Sequence, residues 1–105
     1  MKITEGDRRF IEGTLMPQFH IERLCVEFSR STRKWPDIWV SLGKVPVINV
    51  TDEWARQNMH ERRKRIVHEL LHVKGLEHGR IGKLVYHTRP QLDTYSKEVY
   101  RRLIR

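Results

Sequence analysis

Two histidines and a glutamate stand at a spacing that suits a metal ion. His68, Glu69 and His72 form the pattern His-Glu-x-x-His. Four residues make slightly more than one turn of an α-helix, so the two imidazoles lie on one face, about 40° apart, and both can reach one cation. Glu69 is rotated by roughly 100° from His68, so its carboxylate can stand beside the ion and take a proton from an activated water. The spacing predicts a helix that carries a hydrolytic metal site.

The residues that follow extend the pattern to His-Glu-x-x-His-x-x-Gly-x-x-His. Gly75 can adopt a left-handed conformation that ends the helix, and His78 can then return toward the same ion. Three neutral imidazoles with one position open to water are typical of catalytic zinc, whereas structural zinc usually has four protein ligands. We therefore predict that His68, His72 and His78 bind zinc and that Glu69 is the general base.

This assignment has two alternatives. His87, which follows an apolar pair, can arrive from a later segment as the third ligand in place of His78. The helix pair His68 and His72 can also be two half-buried histidines of an ordinary core helix. His20 and His60 have no such spacing, and we predict surface or packing roles for them. We predict that the single cysteine, Cys25, is a small core residue.

The elements that must position these residues follow from the hydrophobic periodicity, which changes from helical to alternating and back to helical. It predicts one α+β domain over residues 1–105, with an N-terminal helix, a small sheet of about three strands, a long active-site helix and a C-terminal helical or extended segment. Pro46 has no amide hydrogen, so the third strand either lies at a sheet edge or begins there. The predicted elements are a helix from Thr4 that ends at Pro17, strands within 20–30, 37–42 and 45–50, a helix over 53–74 and a helix from about Ser96.

The composition is strongly basic. The 105 residues include 21 Lys and Arg against 13 Asp and Glu, which gives a net charge of +8. This charge suits a polyanion such as RNA. The cations are scattered and interleaved with acids, however, so we expect most of them, including the run at 62–65, to form a solvated surface. With no apolar run of roughly 18 residues, no apolar leader and a single cysteine, we expect a cytoplasmic protein without a membrane partner.

From His68 to His78 the chain resembles the long motif of the metzincin metallopeptidases. Metzincins place a methionine turn after this motif, and here every methionine precedes it: Met1, Met16 and Met59. The chain is more similar to the minigluzincins, minimal zinc metallopeptidases that resemble the catalytic cores of gluzincin-type membrane peptidases. The resemblance covers nearly the whole chain, from the order of elements to the positions of Pro90, Asp93 and Ser96.

The resemblance implies a zinc-dependent peptidase that acts on a peptide or protein substrate, with a histidine as its third ligand. It also implies that the substrate lies antiparallel along an edge strand, for which residues 45–50 are the matching segment. The C-terminal segment has apolar residues at helical spacing: Leu92, Tyr95, Val99 and Leu103. This segment either completes the core or, as the resemblance implies, blocks the cleft of a latent enzyme.

Two alternatives to a peptidase also use a bound metal ion. A His-x-x-x-His-x-x-Gly-x-x-His triad also occurs in a bacterial family tied to ribosomal RNA processing, so a metal-dependent RNA hydrolase is one alternative. In that family the residue after the first histidine is not a glutamate, whereas here it is Glu69. The second alternative is a non-catalytic binding module that the metal stabilises.

Overall fold

The computed structural model describes residues 3–34, 37–41, 43–73 and 89–104. The chain begins with α1 (Glu5–Phe10), a π-helical turn (Ile11–Leu15) and α2 (Met16–Gln18), followed by the strands β1 (Cys25–Phe28), β2 (Ile38–Ser41) and β3 (Val47–Val50). Three helices complete it: α3 (Asp52–Ala55), α4 (Met59–Val73) and α5 (Arg89–Leu103). The predicted α+β class is confirmed. Within the described ranges, no helix combines the length and the apolar character that a membrane crossing needs.

The first helix starts as predicted but runs further than expected. The Thr4 side chain caps it, since its Oγ1 accepts a hydrogen bond from the Asp7 amide at 3.1 Å. The helical path passes through Pro17 and ends after Gln18. An α-helical turn would bring the proline ring against the carbonyl four residues earlier. The wider π turn before it, in which the Met16 amide bonds to the Ile11 carbonyl, relieves that contact.

The strands form one mixed sheet in the order β1-β3-β2. β1 is parallel to β3, and β2 is antiparallel to it, with Cys25 and Ser41 both opposite Val47. The third strand is therefore central, which corrects the expectation that residues 45–50 offer an edge to a peptide. Pro46 is tolerated because β3 begins after it, and its carbonyl accepts a hydrogen bond from the Cys25 amide at 3.0 Å.

The core lies between one face of the sheet and the helices. It is built from buried apolar residues of every layer: Phe10, Ile11, Leu15, Ile38, Ile48, Val50, Trp54, Ile66, Val67, Leu70, Leu71 and Tyr100. Cys25 is exposed, so its prediction as a core residue is wrong. The strand alternates, and Val26 and Phe28 are the β1 residues that pack against the core.

The predicted helix over 53–74 is two helices. α3 ends at Ala55, and α4 begins at Met59, where the Asn58 side chain caps the new helix by accepting a hydrogen bond from the Glu61 amide at 2.9 Å. α5 begins at Arg89, earlier than the expected start at Ser96, and packs on α4. Ser96 and Tyr100 are 2% and 1% exposed, so the second half of α5 completes the core.

Candidate metal centre

The candidate ligands lie where α4 is most deeply enclosed. Six successive residues, 66–71, are buried, so at this level the helix is covered on all sides. His68 and Glu69 are 9% and 8% exposed, and His72 is half-buried. The apolar residues of this stretch, such as Val67 and Leu70, are part of the core.

The two imidazoles face the same point. His68 Nε2 and His72 Nε2 lie 3.1 Å apart, and the planes of the two rings meet at 61°. Two nitrogens that bind one tetrahedral zinc ion at about 2.05 Å are separated by about 3.3 Å. The separation of the two Nε2 atoms is thus close to the one that a shared zinc ion needs. Glu69 belongs to the same group, since its carboxylate and the two imidazoles offer ligand atoms that all lie within 4.8 Å of one another.

The chemistry of these donors also suits a cation. Each neutral imidazole has one nitrogen with a lone pair and one with a proton. When two Nε2 atoms approach to 3.1 Å, one must carry a proton that it donates to the other, or a cation must lie between them. His68, Glu69 and His72 together could hold a metal ion. The other predicted residues of the site, Gly75, His78 and His87, lie outside the described residues.

A buried ion-pair network, which sequence reasoning missed, holds the first half of α4. Arg62 Nε donates to Asp7 Oδ2 at 2.9 Å, and Arg63 Nε donates to Asp7 Oδ1 at 3.1 Å. Asp7 is 2% exposed, and both arginine side chains are 18% exposed. Each guanidinium also lies over an aromatic ring, Arg62 over Trp54 and Arg63 over Phe10.

The rest of the basic run is paired as well. Lys64 Nζ lies 3.2 Å from Glu61 Oε1, and Arg65 forms an ion pair with Asp37 at the start of β2. Arg65 Nε also donates to Gln57 Oε1 at 2.9 Å. The expectation that this run forms a solvated surface is therefore wrong for Arg62 and Arg63, and each of its four cations has an acidic partner. Sequence patterns could not have found the ion pairs of Arg62, Arg63 and Arg65, because their acidic partners lie far away in the chain.

A tyrosine joins the last helix to the start of α4. Tyr100 Oη lies 2.6 Å from His60 Nδ1, and its ring packs edge-on against Phe10 with centroids 5.8 Å apart. Burial raises the pKa of Tyr100 above its ordinary value of 10.0; the nearby Arg63 opposes this rise and Asp7 adds to it. His60 is exposed and contacts Tyr100, in agreement with the predicted surface or packing role.

The chain matches no protein-family model, no curated protein and no solved structure. The grounds for a function are therefore the geometry of His68, Glu69 and His72 and the contacts that hold α4.

Proposed function

We propose that this protein is a zinc-dependent peptidase of the minigluzincin type. The observation that carries the proposal is the pair of Nε2 atoms, 3.1 Å apart on a buried helix, with the Glu69 carboxylate in the same group. His68 and His72 are two ligands. His78 is the proposed third ligand, with His87 as the alternative.

In this proposal zinc, when bound, supplies Lewis-acid activation of a water molecule and of the peptide carbonyl. Glu69 is the general base that removes a proton from the water, so that the oxygen attacks the carbonyl carbon. The same carboxyl group then returns the proton to the nitrogen of the leaving amine. The burial of Glu69 supports this role, because few water molecules compete for its carboxylate.

A peptide can reach the site along a strand edge. β3 has partners on both sides, whereas among the described residues no further strand pairs with β2, which packs on α4. We therefore propose β2, and not residues 45–50, as the strand that pairs with the main chain of a substrate. A peptide is favoured over RNA because each cation of the densest basic run, at 62–65, forms an ion pair with an acidic residue of the same chain.

The test compares zinc-loaded wild type with Glu69→Gln, using fluorescein-labelled casein as the substrate. Wild type should cleave casein, and Glu69→Gln should keep its zinc while the rate falls by about 10³-fold, the usual contribution of a general base. Glu61→Gln, which removes another carboxylate from the same helix, should cleave like wild type. Cleavage by Glu69→Gln at the wild-type rate, or cleavage of RNA but not casein, would overturn the proposal.

A further inference from the structure

Asp37 connects three parts of the molecule. One oxygen of its carboxylate, Oδ1, accepts a hydrogen bond from the Ile38 amide at 2.9 Å, at the first residue of β2. The other, Oδ2, forms the ion pair with Arg65 of α4. The Asp37 carbonyl accepts two hydrogen bonds from Thr51, one from its amide at 3.0 Å and one from its hydroxyl at 2.8 Å. This carboxylate therefore fixes the start of the edge strand to α4, and the carbonyl fixes it to the end of β3.

Arg65 lies one helical turn before the metal group. It precedes His68 by three residues and Glu69 by four, which places it on the adjoining turn of the same side of α4. Its guanidinium cannot swing freely, because Nε is bound to Gln57 Oε1 while the terminal nitrogen holds Asp37. The pair is 39% exposed on the arginine side and only 13% on the aspartate side.

We infer that Asp37 and Arg65 are positioning residues, which set the place of the β2 edge relative to the metal group. The inference rests on the proposed function, in which a polypeptide pairs with β2 while its carbonyl must reach the ion held by His68 and His72. A strand that shifts by about 1 Å along α4 can cost about 10²-fold in rate. The Asp37 carboxylate fixes β2 at a point one helical turn from the ligands.

The simpler explanation is that the pair only adds stability. Asp7 separates the two explanations, because it also binds arginines of α4 but joins them to α1. Among the described residues its carboxylate has no hydrogen bond or ion pair with β2. If ion pairs act only through stability, Asp7→Asn should impair the site at least as much as Asp37→Asn. If Asp37 and Arg65 position the edge strand, the loss of either should weaken the binding of a polypeptide, and the loss of Asp7 should not.

Binding is measured with zinc-loaded Glu69→Gln protein, which should hold fluorescein-labelled casein without cleaving it, by fluorescence anisotropy. Asp37→Asn, Arg65→Gln, their combination and Asp7→Asn are each added to this background. Zinc content and circular dichroism establish that every variant is loaded and folded at the assay temperature. If Asp7→Asn does not fold, Glu61→Gln, which cuts the pair with Lys64 on the same helix, takes its place as the control.

We expect Asp37→Asn and Arg65→Gln each to weaken casein binding by about tenfold, the combination to weaken it no further, and the control to bind like the parent. Equal binding by Asp37→Asn and the parent overturns the inference, even when wild type cleaves casein. An equal loss in the control overturns it too. Binding that depends on Asp37, without cleavage by wild type, leaves the inference standing and refutes the peptidase. If casein is neither bound by the Glu69→Gln protein nor cleaved by wild type, both the inference and the proposed peptidase function are refuted.

Discussion

Replacement of Asp7 by asparagine should be among the most destabilising single changes on the surface of α1 that faces α4. The substitution keeps the shape of the side chain but removes the charge that two guanidinium groups share. Breaking a buried ion pair by removing one partner costs about 3–5 kcal/mol. Arg62 and Arg63 keep 18% of their side-chain surface in water, and asparagine can still accept one hydrogen bond, so the lower end of that range applies.

The expected loss is therefore about 3 kcal/mol, against a total stability of about 5–15 kcal/mol for a chain of this length. For a domain of this size the melting temperature should fall by roughly 12–24 °C. Urea denaturation followed by helical circular dichroism gives the free energy of unfolding, and a thermal scan gives the shift. The matched control is Glu5→Gln, which cuts the exposed Glu5–Arg9 pair on the same helix. Its cost should be under about 1 kcal/mol, because both side chains are mostly in water.

A loss of stability in Asp7→Asn no larger than that in Glu5→Gln would contradict this expectation. Such a result would mean that Arg62 and Arg63 find other partners, or water, at no cost. If the free energy of unfolding falls by the expected amount in Asp7→Asn and only slightly in Glu5→Gln, the burial of an ion pair, and not the number of ion pairs, decides how stably α1 packs on α4.

Three further changes test other features. His20→Gly should raise the free energy of unfolding by about 0.5–1 kcal/mol, because His20 has a φ of 53° at the end of the first helical segment, whereas His20→Val should lower it in the same urea assay. Tyr100→Phe should remove a loss of stability that occurs at alkaline pH. Because burial raises the Tyr100 pKa, the contribution of the protonated side chain to the free energy of unfolding is complete below pH 10.0 and is lost as the pH rises through the folded pKa. Urea midpoints at about pH 9 and 11 would show this difference. Replacing His78 and His87 by alanine in turn should weaken zinc binding, measured by competition with a chelator, by orders of magnitude for the true ligand and little for the other; equal retention by both would exclude both.

The local part of the candidate site was predictable from the sequence. A spacing of four residues in a helix fixes the relation of His68 to His72 almost independently of the rest of the chain. The cap at Thr4 was predictable for the same reason, since the hydrogen bond to the Asp7 amide spans three residues. The alternation of Val26 and Phe28 gave the buried face of β1, and the same alternation should have placed Cys25 outside.

What the sequence did not reveal depends on long-range pairing. The bond between Arg62 and Asp7 spans 55 residues, and the one between Trp54 and the Arg62 carbonyl joins two helices across a break. The order β1-β3-β2 depends on which strand edges meet, and no periodic pattern encodes that choice. For the same reason Pro46 was compatible with two places in the sheet, and only the pairing of β3 on both sides decides between them.

The two halves of α4 are held by different forces, and this division suits a metal site. Residues 66–71 are buried, and the four apolar ones, Ile66, Val67, Leu70 and Leu71, pack in the core. The turn before them is held by directional contacts, from Asp7 on the side of α1 and from Asp37 on the side of β2. The Asp7 pairs join α4 to α1, whereas the Asp37 pair joins it to the start of the edge strand, and a guanidinium binds a carboxylate only in a narrow geometry. The packing of α1 on α4 and the place of β2 beside the metal group therefore depend on different carboxylates, whereas the relation of His68 to His72 follows from their spacing.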